Sequence, residues 1–224
     1  MNIRVNNLNV IFVAVLFFSL FYWQVGYVFA LDCQSCMAKN ETDANFCKQC
    51  GKSISNEKIL VTAKEIVKLI KNKEFKNLAN YVHPIKGVVF SPEYYNPKIN
   101  AVFSKELIVK GFDNNKKYIW GYFDGSGDTI ELTFREFYDK YVYDKDYVNA
   151  PEIVLNPTHD NDNNRKSFIR SIKEEVPGLS FVEFYFSGFD KKYEGMDWRS
   201  LFLVFENYEN KWYLIAIING HWTI

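Results

Sequence analysis

The chain has 224 residues, 48% hydrophobic and 24% charged, enough apolar side chain for one sizeable core plus a small appendage; a wholly disordered chain and a disulfide-dense miniprotein are both excluded. Its 27 basic side chains balance 27 acidic ones, so there is no global positive field to attract nucleic acid, which is not an expected partner, and there is no acidic tail. Aromatic residues reach 18%, which suits a β-rich domain whose half-buried surfaces take large, stiff side chains.

Residues 1–30 read as an address. From Val10 to Phe21 the chain is apolar apart from Ser19, behind a short polar start whose one charged side chain is Arg4. This is the pattern of a secretory signal peptide, and Val28-Phe29-Ala30 offers a cleavage site after Ala30. The apolar stretch also extends over Leu8 to Ala30, close to the ~20 residues that cross ~30 Å of hydrocarbon, so an uncleaved membrane anchor with Tyr22, Trp23 and Tyr27 at the interface stays equally open. Asp32 directly before Cys33 disfavours a lipoprotein. Arg4 favours export of the remainder, against a bias from Lys39, Lys48, Lys52 and Lys58 beyond the segment, and the expected location is extracytoplasmic, secreted or membrane-anchored.

All four cysteines follow at once, as Cys33-Gln-Ser-Cys36 and, ten residues later, Cys47-Lys-Gln-Cys50-Gly51. Two CxxC knuckles offer the paired thiolates that a tetrahedral Zn²⁺ takes, with a hairpin between them to bring the pairs together. About twenty residues cannot bury a core that offsets chain entropy, so ligation would supply the folding free energy. Two alternatives stay open: disulfides in an oxidising compartment, and a redox-active dithiol. Four cysteine ligands fill the coordination sphere and leave no position for water, which makes a structural or recognition role the expectation.

The segment from Cys33 to Ile54 resembles the short bacterial zinc-ribbon family, in which an aromatic precedes the second CxxC and Gly follows it, as Phe46 and Gly51 do here. Met37 departs from that pattern, standing where the first knuckle usually has Gly. The resemblance implies structural zinc on Cys33, Cys36, Cys47 and Cys50, in a ribbon spanning residues 31–54.

Residues 55–224 read as one α+β domain. Ile59, Ala63, Ile66, Val67 and Ile70 recur at helical period and predict an amphipathic helix over 57–72, capped by Ser55 or Asn56. A second helix, Glu74 to Val82, stops at His83-Pro84 and pairs with the first. From Gly87 to Gly125 the residues become strand-like, notably Val88-Val89-Phe90 and Tyr118 to Tyr122. Thr133 and Glu136 form a capping box that opens a helix to residue 143, Asn156 to Asn164 is a polar loop, and Lys166 to Glu175 is a helix closed by Pro177-Gly178. Phe181–Phe186, Leu201–Phe205, Trp212–Ile218 and His221–Ile224 read as strands, with a hairpin turn over Asn207 to Lys211. The expected architecture is helices covering one face of a curved antiparallel sheet. The helical pair and the closing motifs Gly195-Met196-Asp197-Trp198-Arg199-Ser200-Leu201, Lys211-Trp212-Tyr213-Leu214 and His221-Trp222-Thr223-Ile224 resemble the cone-shaped NTF2-like superfamily. With Trp120-Gly121 and Asp124-Gly125-Ser126-Gly127, the stretch from Ile59 also looks like an uncharacterised exported domain of Gram-positive bacteria. The helix at 133–143 is additional to a minimal NTF2-like cone.

Catalytic signals are sparse. His83, His159 and His221 form no local metal pair; His83 reads as a helix stop, His159 as a solvated loop residue, and His221 with Asp197 as the one pair that a cone interior could use. An EF-hand begun at Asp124 puts Arg135 in the place of the bidentate Glu, and one begun at Asp160 puts Ser171 there, so both fail. Ser126 lies in no nucleophile elbow. Trp120, Tyr122, Trp198, Trp212 and Trp222 read as core rather than as a ligand pocket. The expectation is a non-enzymatic binding module of the cell envelope with a peptide, glycan or protein partner, and with the membrane itself if residues 8–30 stay uncleaved. The alternatives are an envelope enzyme using Asp197 and His221, and a docking ribbon that faces the cytoplasm.

Overall fold

The computed structural model describes residues 31–41, 44–93, 96, 98–123, 125–158 and 163–222. The signal or anchor segment, His159, Asp124 and Asp160 lie outside these residues. Among the described residues no helix is long and apolar enough to cross a membrane.

The chain begins with a two-stranded hairpin, β1 (Leu31–Asp32) and β2 (Lys39–Asn40), which carries the first CxxC at its tip. Helix α1 (Ser55–Lys71) buries the predicted face of Ile59, Ala63, Ile66, Val67 and Ile70. Its N-cap is Ile54, which is held in the ribbon, and no side chain caps it, so the expected cap from Ser55 or Asn56 is not made. Helix α2 is one turn, Phe75–Leu78, shorter than expected. The sheet recruits the backbone beyond it: Leu214 N donates to Tyr81 O at 2.7 Å and His83 N to Leu214 O at 3.0 Å.

The stretch expected to be strand-like holds β3 (Val88–Ser91), β4 (Ala101–Phe103), helix α3 (Lys105–Gly111) and β5 (Lys117–Tyr122). The unexpected α3 is capped by Ser104, whose hydroxyl accepts from Leu107 N. Strand β6 (Thr129–Thr133) pairs with β5 and runs straight into α4 (Phe134–Phe137) through the Thr133–Glu136 capping box, which forms as expected. A π turn over Tyr138–Val142 extends α4. The remaining elements are β7 (Glu152–Leu155), α5 (Asn163–Glu175), β8 (Ser180–Phe186), β9 (Arg199–Tyr208) and β10 (Lys211–His221), with short 3-10 turns at Tyr147–Asn149 and Lys191–Tyr193. β10 runs past the expected end at Ile218 to His221; of the strand expected over His221–Ile224, residues 223–224 lie outside the described residues.

Strands β4-β3-β10-β9-β8-β7 form one mixed sheet. All neighbours are antiparallel except β3 and β10, which run parallel with Ile217 opposite Phe90; this corrects the expectation of an antiparallel sheet. β3 is buried throughout and β10 from Leu214 to Gly220, the span that includes their parallel pairing. A second correction concerns the layers. Val182, Phe184, Leu201, Leu203 and Phe205 face α1, α2, α4 and the β5–β6 hairpin. The alternate residues Phe181, Tyr185, Phe202 and Val204 face α5 through Phe168, Ile169, Ile172 and Val176. Helices thus cover both faces of the sheet rather than one. The bulge at Leu214–Ala216 shifts the β10 register, so Ile215, Ala216 and Ile218 all join the α5 side. Gly87 has no substitute at its turn: φ is +70° and a Cβ there would stand 2.5 Å from Phe103 O.

Candidate metal centre

Each CxxC closes a turn of the same shape. Met37 N donates to Cys33 O at 2.7 Å and Gly51 N to Cys47 O at 2.9 Å. Met37 has φ of 58° and Gly51 of 70°, so the methionine adopts the left-handed conformation that glycine takes freely, at a cost on the order of 1 kcal/mol. The departure from the ribbon pattern changes the residue and keeps the backbone. The two turns face each other because β1 pairs with β2 and because Phe46 and Ser53 form a bridge at the base of the second knuckle.

One ligand atom from each of Cys33, Cys36, Cys47 and Cys50 lies within 4.8 Å of every other. The shortest approaches run across the knuckles, Cys33 Sγ to Cys50 Sγ at 3.6 Å and Cys36 Sγ to Cys47 Sγ at 3.5 Å, and all four are free thiols. Sulfurs ~2.3 Å from a tetrahedral zinc stand about 3.8 Å from one another, so the donor set fits that ion in both chemistry and spacing. The electrostatics agree. Backbone N–H groups of Cys50 and Gln49, with the Cys36 and Cys50 thiols, bring the Cys47 pKa down to about 6 against the opposing effect of burial. At Cys36 the Ala38 backbone favours the thiolate, but burial and the three neighbouring sulfurs push the pKa up to about 12. Four sulfurs this close cannot all ionise unless a cation shares their charge.

Asn40 is the residue that sequence reasoning missed. Buried in the hairpin, its amide donates to Ala38 O at 2.7 Å and Leu31 O at 3.2 Å and points at Cys47 Sγ at 3.7 Å, while its Oδ1 accepts from Lys48 N at 2.8 Å. One side chain thereby ties the first knuckle to the second. Its signal in the sequence is only an Asn in a polar turn, indistinguishable there from Asn45. Ile54 is fully buried against Leu31, Cys33 and Cys47, and Lys58 on α1 donates to Asn45 Oδ1 at 3.0 Å, so the ribbon is joined to the first helix.

The other residues singled out in the sequence lie outside the cysteine cluster. His83 is buried as part of a turn, its Nδ1 accepting from Ile85 N and Lys86 N at 3.1 and 3.0 Å, and burial pushes its pKa down. Asp197 Oδ2 accepts from Phe189 N and Asp190 N at 3.1 and 2.9 Å and organises the loop before β9. His221 Nδ1 lies 2.6 Å from Asn219 Oδ1, and Asn219 donates its amide to Tyr141 O. Ser126 accepts from Asp128 N within the β5–β6 turn. Trp120 and Trp198 are core residues, whereas Tyr122 and Trp222 are exposed and Trp212 is half-buried. Neither a protein-family model nor a curated protein matches this chain.

Proposed function

We propose that this chain is a bacterial cell-envelope protein, exported or membrane-anchored through residues 8–30, in which structural zinc on Cys33, Cys36, Cys47 and Cys50 builds a ribbon over 31–54 and the α+β domain over 55–224 binds a partner without catalysis. The observation that carries this reading is the meeting of four sulfurs in one tetrahedral-sized cluster. Bound there, zinc would supply cross-linking rather than Lewis-acid chemistry, because four thiolates complete its coordination. Asn40 would then act by holding Cys47 and the two knuckles in register.

An NTF2-like cone is the finer architecture that we favour, supported by the pairing of α1 with α2 and by β8, β9 and β10 as its long central strands. The face such a cone would use is filled by Phe90, Phe103, Trp120, Phe134 and Phe137, which favours partner binding on the outside of the domain over catalysis inside it. The loop hydrogen bonds of Asp197 and the contact of His221 with Asn219 at the end of β10 fit the same preference.

The test is metal content. Protein purified under reducing conditions without chelator is expected to carry one zinc per chain; metal-free protein with intact S–S links by mass spectrometry overturns the reading.

A further inference from the structure

We propose that the groove between the ribbon, α1 and the β9–β10 turn holds an acidic peptide bearing apolar side chains, and that the metal-built ribbon forms one of its walls; this rests on the reading above and names its partner class. The groove has a volume of about 660 Å³. Lys58, Val61, Thr62, Glu65 and Lys68 line it from α1. Their spacing of three and four residues places them on one stripe, distinct from the buried stripe of Ile59, Ala63, Ile66 and Ile70. From Lys58 to Lys68 that wall is about 15 Å long at the rise of an α-helix. Tyr81 and Trp212 face it from the other side, both half-buried, and Val61 is exposed on its floor.

The rim is cationic. Lys64, Lys68 and Lys211 form no ion pair among the described residues, and Glu65 is the one carboxylate among the residues lining this groove. In a chain whose charges balance overall, these ammonium groups gathered at one place create a local positive field over an apolar floor. Such a combination complements carboxylates set between apolar side chains. A sugar chain fits less well. Its hydroxyls need planar amides and carboxylates; Asn72 and Asn77 already donate to Glu74 at 3.1 and 2.7 Å, which leaves Asn80, Asn210 and Glu65 beside a rim dominated by ammonium groups.

The ribbon end of the groove is Leu31 and Lys58. Leu31 pairs with Asn40 and packs on Cys33 and Cys47, and Lys58 is tied to Asn45. Unfolding of the ribbon therefore removes Leu31 from the groove and releases the Lys58 side chain from Asn45, while Lys58 itself stays on α1.

The experiment uses the full zinc-loaded chain in detergent and fluorescence anisotropy of a labelled short peptide alternating Glu with Leu and Phe. Its comparison probes are the same peptide with Gln for Glu, an oligoglutamate, and polygalacturonate as an anionic sugar chain. Saturable binding of the acidic apolar peptide is expected, weakened about tenfold or more by Gln for Glu, by Trp212→Ala, and by the combined Lys64→Glu, Lys68→Glu and Lys211→Glu variant, and abolished by chelation. The lysines are exposed, so the lysine variant keeps its near-ultraviolet circular dichroism and decides the matter even if Trp212→Ala fails to fold. Unchanged affinity in the lysine variant, equal binding of oligoglutamate, or tighter binding of polygalacturonate overturns the proposal. Stoichiometric zinc without peptide binding overturns this inference and leaves the metal reading standing. Undiminished peptide binding after chelation overturns the metal-built wall, while the metal reading itself falls only if the purified chain carries no zinc.

Discussion

The ribbon and the sheet domain solve the same problem with different means. The ribbon's buried hydrophobic cluster is Leu31, Cys33, Cys47 and Ile54, and two of those four residues are themselves candidate ligands. The sheet domain buries side chains on both faces of six strands, with Phe90, Phe103, Trp120, Phe134 and Phe137 packed together on one of them. Burial scales with size, so a segment of some twenty residues recovers too little transfer free energy to offset its chain entropy, whereas a domain of this length recovers enough. On the proposed reading, the ribbon would depend on a bound ion where the sheet domain depends on packing.

The sharpest way to break that comparison is to remove one ligand. Cys47→Ser is expected to abolish stoichiometric metal binding and to leave amides over residues 31–54 unprotected, while those of β8, β9 and β10 keep their protection. Structural zinc in ribbon-sized peptides contributes ~10–16 kcal/mol, far more than any other single contact here. Hydrogen exchange read by mass spectrometry on the full chain checks this. Equal loss of protection in both regions would mean that the ribbon and the sheet fold as one unit.

The two regions also differed in how much of them could be read from the chain. The knuckles were legible because ligand spacing is local: two CxxC pairs and Gly51 specify the turns by themselves. The α1 face, the Thr133–Glu136 box and the strands β8 and β9 were legible for the same reason, since their periods and caps lie within a few residues. What failed was non-local. The parallel pairing of β10 with β3 joins residues such as Ile217 and Phe90, and nothing near either one announces its partner. The second helical layer was missed because Phe181 and Phe202 signal burial without saying what covers them. Helix α3 was hidden by its shortness, about two turns over Lys105–Gly111, and Asn40 by a role that exists only once both knuckles are in place.

Within the sheet domain the comparison sharpens at Trp120. Its ring stacks on Phe137 with centroids 3.9 Å apart and planes 10° from parallel, and on Phe103 at 5.4 Å, while Nε1 donates to Leu132 O at 2.9 Å. Trp120→Ala leaves a cavity in a fully buried cluster and an unpaired carbonyl, and is expected to cost about 3–5 kcal/mol. Urea unfolding reads this as a lower midpoint with unchanged slope, and the metal content is expected to stay at one per chain. Loss of zinc in this variant would contradict the independence of the two regions.

Acid separates the regions by a subtler route. In the ribbon, protons compete with metal for thiolates. In the sheet domain the relevant group is His221, whose pKa is brought down to about 4 by burial first and then by the charge of Arg199, with Asp144 opposing. Because Asn219 commits its amide to Tyr141 O, it presents Oδ1 to the ring, and the neutral imidazole donates from Nδ1. The unfolded chain takes up this proton near pH 6.5, and the folded one only near 4, so between those values the unfolded state binds more protons. The contribution is therefore fully present above about pH 6.5 and is lost as pH falls to about 4, worth up to about 3 kcal/mol. His83 shifts in the same direction for the same first cause, burial, so part of the slope survives when His221 is replaced. His221→Gln is expected to flatten the fall in stability between about pH 6.5 and 4, followed by near-ultraviolet circular dichroism during urea unfolding, while a metal indicator reports ribbon release at an unchanged pH. An unaltered slope in the variant would place the His221 pKa near its ordinary value in the folded protein, where the imidazole is available as a general acid or base, and would revive the enzymatic reading of Asp197 and His221.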